Sequence, residues 1–200
     1  MNSDTTFRIL AAVIFVVGAA ISSYHRRKAD RAGGEKISFK EEGLPITITL
    51  RVLGLALWGG ILAYLINPAW MAWSRVDLPE WARWVGVGMG VLADLLAYWV
   101  FTSLGNNVSP TVVTRTNHSL VTSGPYRWVR HPLYTMGMIG FLGYALLAEN
   151  WFIALFALLG FIVLNVRVPK EEAMLVARFG DAYRSYMRNT GRYFPRLTRS

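Results

Sequence analysis

Apolar residues in this chain fall in long continuous blocks, and the blocks dictate its elements. Residues 7–24, 44–66 and 81–103 form three runs with almost no interrupting charge. Runs of about 18 or more apolar residues predict helices that span a bilayer. Two shorter blocks follow at 133–148 and 151–166, separated only by Glu149-Asn150. Each of these holds 16 residues. That is ~24 Å of helix against a hydrocarbon core of ~30 Å, so the pair either spans with help from its flanks or forms a re-entrant hairpin. Both versions return the chain to the side it left.

The polar stretches between blocks carry the turn chemistry. Asn67-Pro68 ends the second block, because proline cannot continue a helix. Trp70, Trp73, Trp81 and Trp84 surround the short loop that follows, as an aromatic belt at a membrane interface does. The tail from 167 to 200 is charged, with Leu175, Phe179, Tyr183 and Tyr186 at helical spacing. It predicts amphipathic helix, with Gly180 and Gly191 as interruptions or C-caps. The expected fold class is therefore an all-α polytopic integral membrane protein of about five transmembrane helices with an amphipathic C-terminal helical tail. An N-terminal membrane region, 1–103, precedes a polar-motif half, 104–200, that holds the fourth and fifth helices.

Composition agrees with this picture. The 200 residues are 54% hydrophobic and 16% charged. Cysteine is absent, which excludes a disulfide framework, a thiolate nucleophile and thiolate metal ligation. The net charge of +9 could suggest nucleic acid, but its placement excludes that reading. Basic residues cluster beside the apolar blocks, where they meet anionic lipid headgroups, and no basic stripe with interleaved aromatics is present.

Charge placement also orients the chain. His25-Arg26-Arg27-Lys28 directly after the first block is the wrong flank for a cleaved signal and the right one for an anchor. Stretches 25–43, 104–132 and the tail carry six, three and eight Lys or Arg residues, 17 in all. The opposite side holds Arg8, Arg75 and Arg83, and Arg51 lies near one end of the second block. The positive-inside rule then places the N-terminus outside and the C-terminus in the cytoplasm, the inner membrane being implied if the source is bacterial. Residues 104–132 and the start of the tail thus share the cytoplasmic face.

Two polar constellations stand there. One runs from Gly124 to Tyr134 as Gly-Pro-Tyr-Arg-Trp-Val-Arg-His-Pro-Leu-Tyr, preceded by His118-Ser119-Leu120-Val121. The other is Arg167-Val168-Pro169-Lys170-Glu171-Glu172. Taken singly, each has a plain structural reading. Arg127 and Arg130 serve as interface anchors, His131-Pro132 starts a helix, and Arg167 with Glu171 forms an i,i+4 ion pair. Together they describe a pocket. Pro169 removes a backbone hydrogen bond where the fifth block leaves the bilayer, freeing carbonyls near Asn165 and bending the chain. Arginine, two carboxylates, histidine and tyrosines would converge on a chamber able to hold a polar, charged cofactor beside lipid.

Other features point elsewhere. His25, His118 and His131 lack the close spacing of a metal-ligand pair, so no metal is expected. Gly86, Gly88 and Gly90 lie inside an apolar block and are no dinucleotide fingerprint. Gly86 and Gly90 read instead as a close helix-packing surface. Asp94 is the one charge deep in the third block, either bonded to a neighbouring helix or facing a functional cavity. The sequons at 107–109 and 117–119 would be silent on the cytoplasmic side.

The ordered motifs His118-x-Leu-Val, Gly-Pro-Tyr-x-x-x-Arg-His-Pro-x-Tyr, Arg-x-Pro-x-Glu-Glu and Phe179-Gly-x-x-Tyr183-x-x-Tyr186 resemble the isoprenylcysteine carboxyl methyltransferases. The closing Thr190-Gly191-Arg192-Tyr193-Phe194-Pro195 is similar to that of small prokaryotic members. The resemblance implies an S-adenosylmethionine-dependent methyltransferase with a lipophilic, isoprenylcysteine-like substrate admitted from the bilayer. Cofactor contacts would be His118, Ser119, Leu120, Val121, Tyr126, His131, Pro132, Leu133, Tyr134 and Glu171, with Glu172 as a further candidate. Arg167 would bind the substrate carboxylate, and Arg167 and Glu171 would carry catalysis. A phospholipid or amine N-methyltransferase, a membrane reductase of related architecture and a non-enzymatic scaffold stand as alternatives.

Overall fold

A computed structural model describes residues 3–31, 44–105 and 120–196. Six α-helices carry the fold: α1 (Ser3–Arg31), α2 (Leu44–Ile66), α3 (Glu80–Leu104), α4 (Pro132–Leu147), α5 (Trp151–Phe179) and α6 (Asp181–Asn189). Four of them, α1, α2, α3 and α5, are long and apolar enough to cross a membrane, and α4 is a shorter apolar helix. The protein is a multi-pass integral membrane protein. A bilayer supplies no partner for an open backbone amide, so helices are the form such blocks must take.

Helix ends follow the sequence signals. Asn67 ends α2 and caps a short 3₁₀ helix, Pro68–Ser74, its side chain accepting from the Ala69 amide. The α4–α5 connection is as tight as Glu149-Asn150 implies. Glu149 adopts φ +52°, and the Asn150 side chain caps α5 at Ile153 while its amide donates to Ser74. A charge knot with a buried Arg83 and Glu149 and a half-exposed Asp4 and Arg75 closes this end of the bundle. Arg83 donates to Asp4 at 2.6 Å and lies 3.5 Å from Glu149, whose other approach is from Arg75 at 3.0 Å. The α1 end is held to α2 by Arg8, which donates to the Leu65 and Ile66 carbonyls.

One expectation changes. The tail does not separate from the fifth block at Arg167. Helix α5 runs on through Pro169 to Phe179 and stops at Gly180, φ +57°. Proline forfeits one amide donor toward the Asn165 carbonyl, but the turns on either side keep their own bonds and the helix survives. At 29 residues α5 measures ~43 Å and overshoots a ~30 Å core, so Glu171 and Glu172 ride beyond the apolar segment on the same rigid rod.

The expected glycine surface on α3 is present. A Cβ on Gly86 would fall 2.6 Å from the Gly143 carbonyl oxygen of α4, and one on Gly90 3.0 Å from Ile14 of α1. Helix α3 thereby packs flush against α4, its most extensive neighbour, while α1 closes its other side. A core of Phe7, Ala11, Ile14, Leu57, Ile61, Tyr144 and Leu147 occupies the charge-knot half of the bundle. Toward the other end the helices separate around a cavity.

Candidate active site

Residues 120–131, α4, α5 and the closing segment 190–193 meet at the end of the bundle remote from the charge knot. The chain before α4 turns at Gly124, φ +59°, where a Cβ would collide with Ser103. It then pairs in parallel with the closing segment. The Arg130 amide donates to the Gly191 carbonyl at 2.8 Å and the His131 amide to the Arg192 carbonyl at 3.0 Å. Thr135 adds a bond to the Tyr193 carbonyl at 2.9 Å. The end of the chain is thus tied to the start of α4.

Adjacent carboxylates on α5 meet different fates. Glu172 is 4% exposed and sits outside the cavity wall. Its oxygens accept from Arg130 Nε at 2.8 Å and Arg192 at 2.9 Å, with His131 Nε2 at 3.2 Å. Arg130 also donates to the Met187 and Thr190 carbonyls. Glu172 therefore acts as the post of an ionic knot and does not itself line the cavity. Glu171, one position earlier, projects ~100° away around the helix. It lines the cavity, accepts from the Tyr134 phenol at 2.8 Å and lies 3.8 Å from His131 Nδ1. The His131 and Tyr134 rings stack at 5.4 Å, 3° from parallel, fixing both side chains.

The cavity has a volume of about 520 Å³. Of the residues singled out from the sequence, Leu120, Val121, Tyr126, His131, Pro132, Leu133, Tyr134, Arg167 and Glu171 all line it. His118 and Ser119 lie outside the described residues, as do both sequons. Tyr126 and Tyr186 close one wall, the Tyr186 phenol donating to the Tyr126 carbonyl at 2.6 Å. Burial pushes both phenols above their ordinary range, with Tyr186 and Glu171 adding to the rise at Tyr126. They stay protonated at physiological pH and serve as donors, not bases.

Asp94 faces this cavity, one of the two readings its sequence position offered. Sequence reading did not find Ile14, Phe15, Gly18, Trp58, Ala97 and Phe141, which extend the cavity from its polar end into the membrane-spanning helices. Arg130 and Arg192 also escaped it as partners of Glu172, although both stand inside the quoted motifs. Among the described residues no cluster of His, Asp and Glu could hold a metal ion.

The sequence profile of the phospholipid methyltransferase family matches residues 81–182, just over half of the chain. The chain belongs to that family. Its resemblance to the isoprenylcysteine carboxyl methyltransferases is borne out among its relatives. Protein-S-isoprenylcysteine O-methyltransferase of Schizosaccharomyces pombe is 36% identical over 103 residues, covering 50% of this chain and 44% of the yeast protein. The cobalt-zinc-cadmium resistance protein CzcN of Cupriavidus metallidurans is 36% identical over 145 residues, 72% of this chain and 64% of its own. The uncharacterized protein YpbQ of Bacillus subtilis is 27% identical over 84% of this chain and 96% of its own length. The chain thus spans nearly all of YpbQ but less than two thirds of the other two. The eukaryotic intramembrane Ras methyltransferase ICMT superposes with a TM-score of 0.56 at 24% identity, over 74% of this chain and 52% of that one, so the two share a fold. This family member is a membrane protein whose characterised relatives include methyltransferases.

Proposed function

We propose that the protein is an S-adenosylmethionine-dependent carboxyl O-methyltransferase acting on a lipophilic, isoprenylcysteine-like carboxylate drawn from the membrane, with its polar end facing the cytoplasm. The observation that carries this reading is one cavity with two chemistries. Tyr126, His131, Tyr134, Arg167 and Glu171 crowd one end, and apolar side chains of α1 to α4 line most of the remainder. A polar end suited to a cofactor and an apolar slot suited to a lipid chain are continuous in it.

The polar end suits the cofactor. Glu171 offers carboxylate oxygens to hydroxyl or ammonium donors, and the Tyr126 and Tyr134 phenols are fixed donors beside it. When bound, S-adenosylmethionine supplies an electrophilic methyl group on a cationic sulfur. Arg167 supplies the charge that draws an anionic acceptor to the same end and holds its orientation. A carboxylate is already nucleophilic at neutral pH, so no residue need act as general base. Tyr183, Tyr186 and α4 line that end, and a site closed to water by bound substrate would favour a reaction in which opposite charges cancel.

An amine acceptor is the rival that the family's name raises. Arg167 on the wall disfavours it, since a cationic or proton-shedding acceptor would meet a fixed positive charge. The test uses purified protein in detergent, methyl-labelled S-adenosylmethionine, N-acetyl-S-farnesylcysteine and extracted phospholipid. Base-labile label on the cysteine derivative is expected. Glu171→Ala should weaken cofactor binding at least tenfold. Arg167→Ala should leave that affinity within about twofold while lowering kcat/KM on the order of a hundredfold, as loss of one partner of a buried charge pair does. Label stable to base and confined to phospholipid amine would replace this reading with the rival.

A further inference from the structure

Asp94 is a carboxylate in the apolar part of the cavity wall, and nothing in the methyl-transfer chemistry above uses it. It stands on α3 next to Ala93, whose side chain is 3.0 Å from where a Cβ on Gly140 of α4 would lie. The nine residues from His131 to Gly140 rise ~13 Å along α4, so Asp94 sits about that far below the polar end. Ile14, Trp58, Ala97 and Phe141 line the same cavity, as does Ser22, one turn along α1 from Gly18.

Among the described residues no side chain donates a hydrogen bond to Asp94 or forms an ion pair with it. The Tyr144 phenol on the same wall donates instead to the Ala11 carbonyl at 2.8 Å. The arginines on the wall, Arg26, Arg130 and Arg167, belong to the polar end. Helix α1 packs directly on one carboxylate oxygen, and a glycine there makes room for it. A Cβ on Gly18 would lie 2.6 Å from Asp94 Oδ1. A carboxylate placed among apolar groups and facing an open space is costly unless a ligand group meets it.

We infer that Asp94 is a specificity-determining residue that binds a hydrogen-bond donor, amine or hydroxyl, on the lipophilic part of the substrate. The inference rests on the proposed carboxyl methylation and narrows its substrate class. The preferred substrate carries a carboxylate at one end and a donor ~13 Å away, along a chain that is otherwise apolar. A plain hydrocarbon chain would leave Asp94 desolvated and unanswered, and the site would reject it.

The probes are N-acetyl-S-hexylcysteine and its ω-amino and ω-hydroxy counterparts, whose extended carboxylate-to-ω spacing matches that distance, with wild type, Asp94→Asn and Asp94→Leu purified in detergent. Binding is read by quenching of tryptophan fluorescence, methylation by transfer of labelled methyl. Wild type should bind one or both ω-substituted probes roughly tenfold more tightly than the plain chain. Asp94→Leu should reverse that order, and Asp94→Asn should keep the hydroxy preference while losing the amino preference. Unchanged S-adenosylmethionine affinity in both variants shows that they are folded. Equal affinity for all three probes in wild type, an unchanged order in Asp94→Leu, or no binding of any probe overturns the inference. Methylation without Asp94-dependent preference leaves the carboxyl methyltransferase standing alone. Asp94-dependent binding without methylation does the reverse.

Discussion

Glu172 and Gly191 hold the closing segment to the bundle from opposite directions, one by charge and one by its lack of a side chain. Glu172 faces Arg130 at 2.8 Å, Arg192 at 2.9 Å and the His131 ring at 3.2 Å. Replacing it with glutamine keeps the volume and removes the countercharge, leaving a mostly buried arginine without an anion. Breaking a buried pair in this way costs ~3–5 kcal/mol. Glu172→Gln should therefore lower Tm by several degrees and weaken cofactor binding only through displacement of His131. A variant as stable as wild type would show that the knot is idle. At Gly191 a Cβ would lie 1.7 Å from the Phe194 carbonyl oxygen, which is backbone and cannot swing aside. Gly191→Ala should undock 191–196, read as faster amide exchange at Arg130 and His131, the two donors to that segment. The sequence shows Glu171 and Glu172 as equals. Which one faces the cavity depends on the rotation of α5 against α4, and that is set by packing among residues far apart in the chain. Gly191 reads from sequence as a helix stop, because nothing local signals that Val129 lies beside it.

At the scale of elements, apolar block length placed α2, α3 and α4 but not the ends of α1, which runs on past its block through His25 to Arg31, or of α5. Helix α2 begins and ends where its block does, and α3 and α4 differ by a residue or so at their ends. Helix α5 departs most, because Pro169 reads as a break, and only the flanking turns reveal that a long helix tolerates it. The glycines of α3 were legible as a packing face, but their individual partners were not. That difference makes a paired test. Gly86→Ala puts a methyl against the backbone of Gly143 and Leu147, each 2.6 Å away, and α3 must move off α4. Overpacking of this kind costs ~1–3 kcal/mol. Gly88→Ala meets nothing within 4 Å and should change stability by less than ~0.5 kcal/mol. Thermal unfolding of the two proteins in detergent should separate them clearly. Equal midpoints would mean that α3 and α4 are not in flush contact. Because His131 is carried on the start of α4, the Gly86 variant should also lose cofactor affinity.

Over the whole molecule, charge sorts to the two ends of the bundle and implies its orientation. One end carries the Asp4, Arg75, Arg83 and Glu149 knot with the tryptophans around it, and the other carries the cavity mouth, Glu172 and α6. Among the described residues most Lys and Arg lie toward the second. In the orientation proposed above, which follows the positive-inside rule, that end would face the cytoplasm and its supply of the proposed methyl donor. The chain lends itself to a direct test, having no cysteine to remove. Asp77 and Asp181 are 97% and 94% exposed at opposite ends, so Asp77→Cys and Asp181→Cys place single thiols in open positions with little cost to stability. In intact cells a membrane-impermeant maleimide should label Asp77→Cys and spare Asp181→Cys until the membrane is permeabilised. The reverse pattern would turn the cavity outward, away from its cofactor supply, and the methyl donor would have to be another molecule. Labelling of both thiols from the same side would contradict the five-helix crossing itself, since α3, α4 and α5 separate these two positions by an odd number of passages.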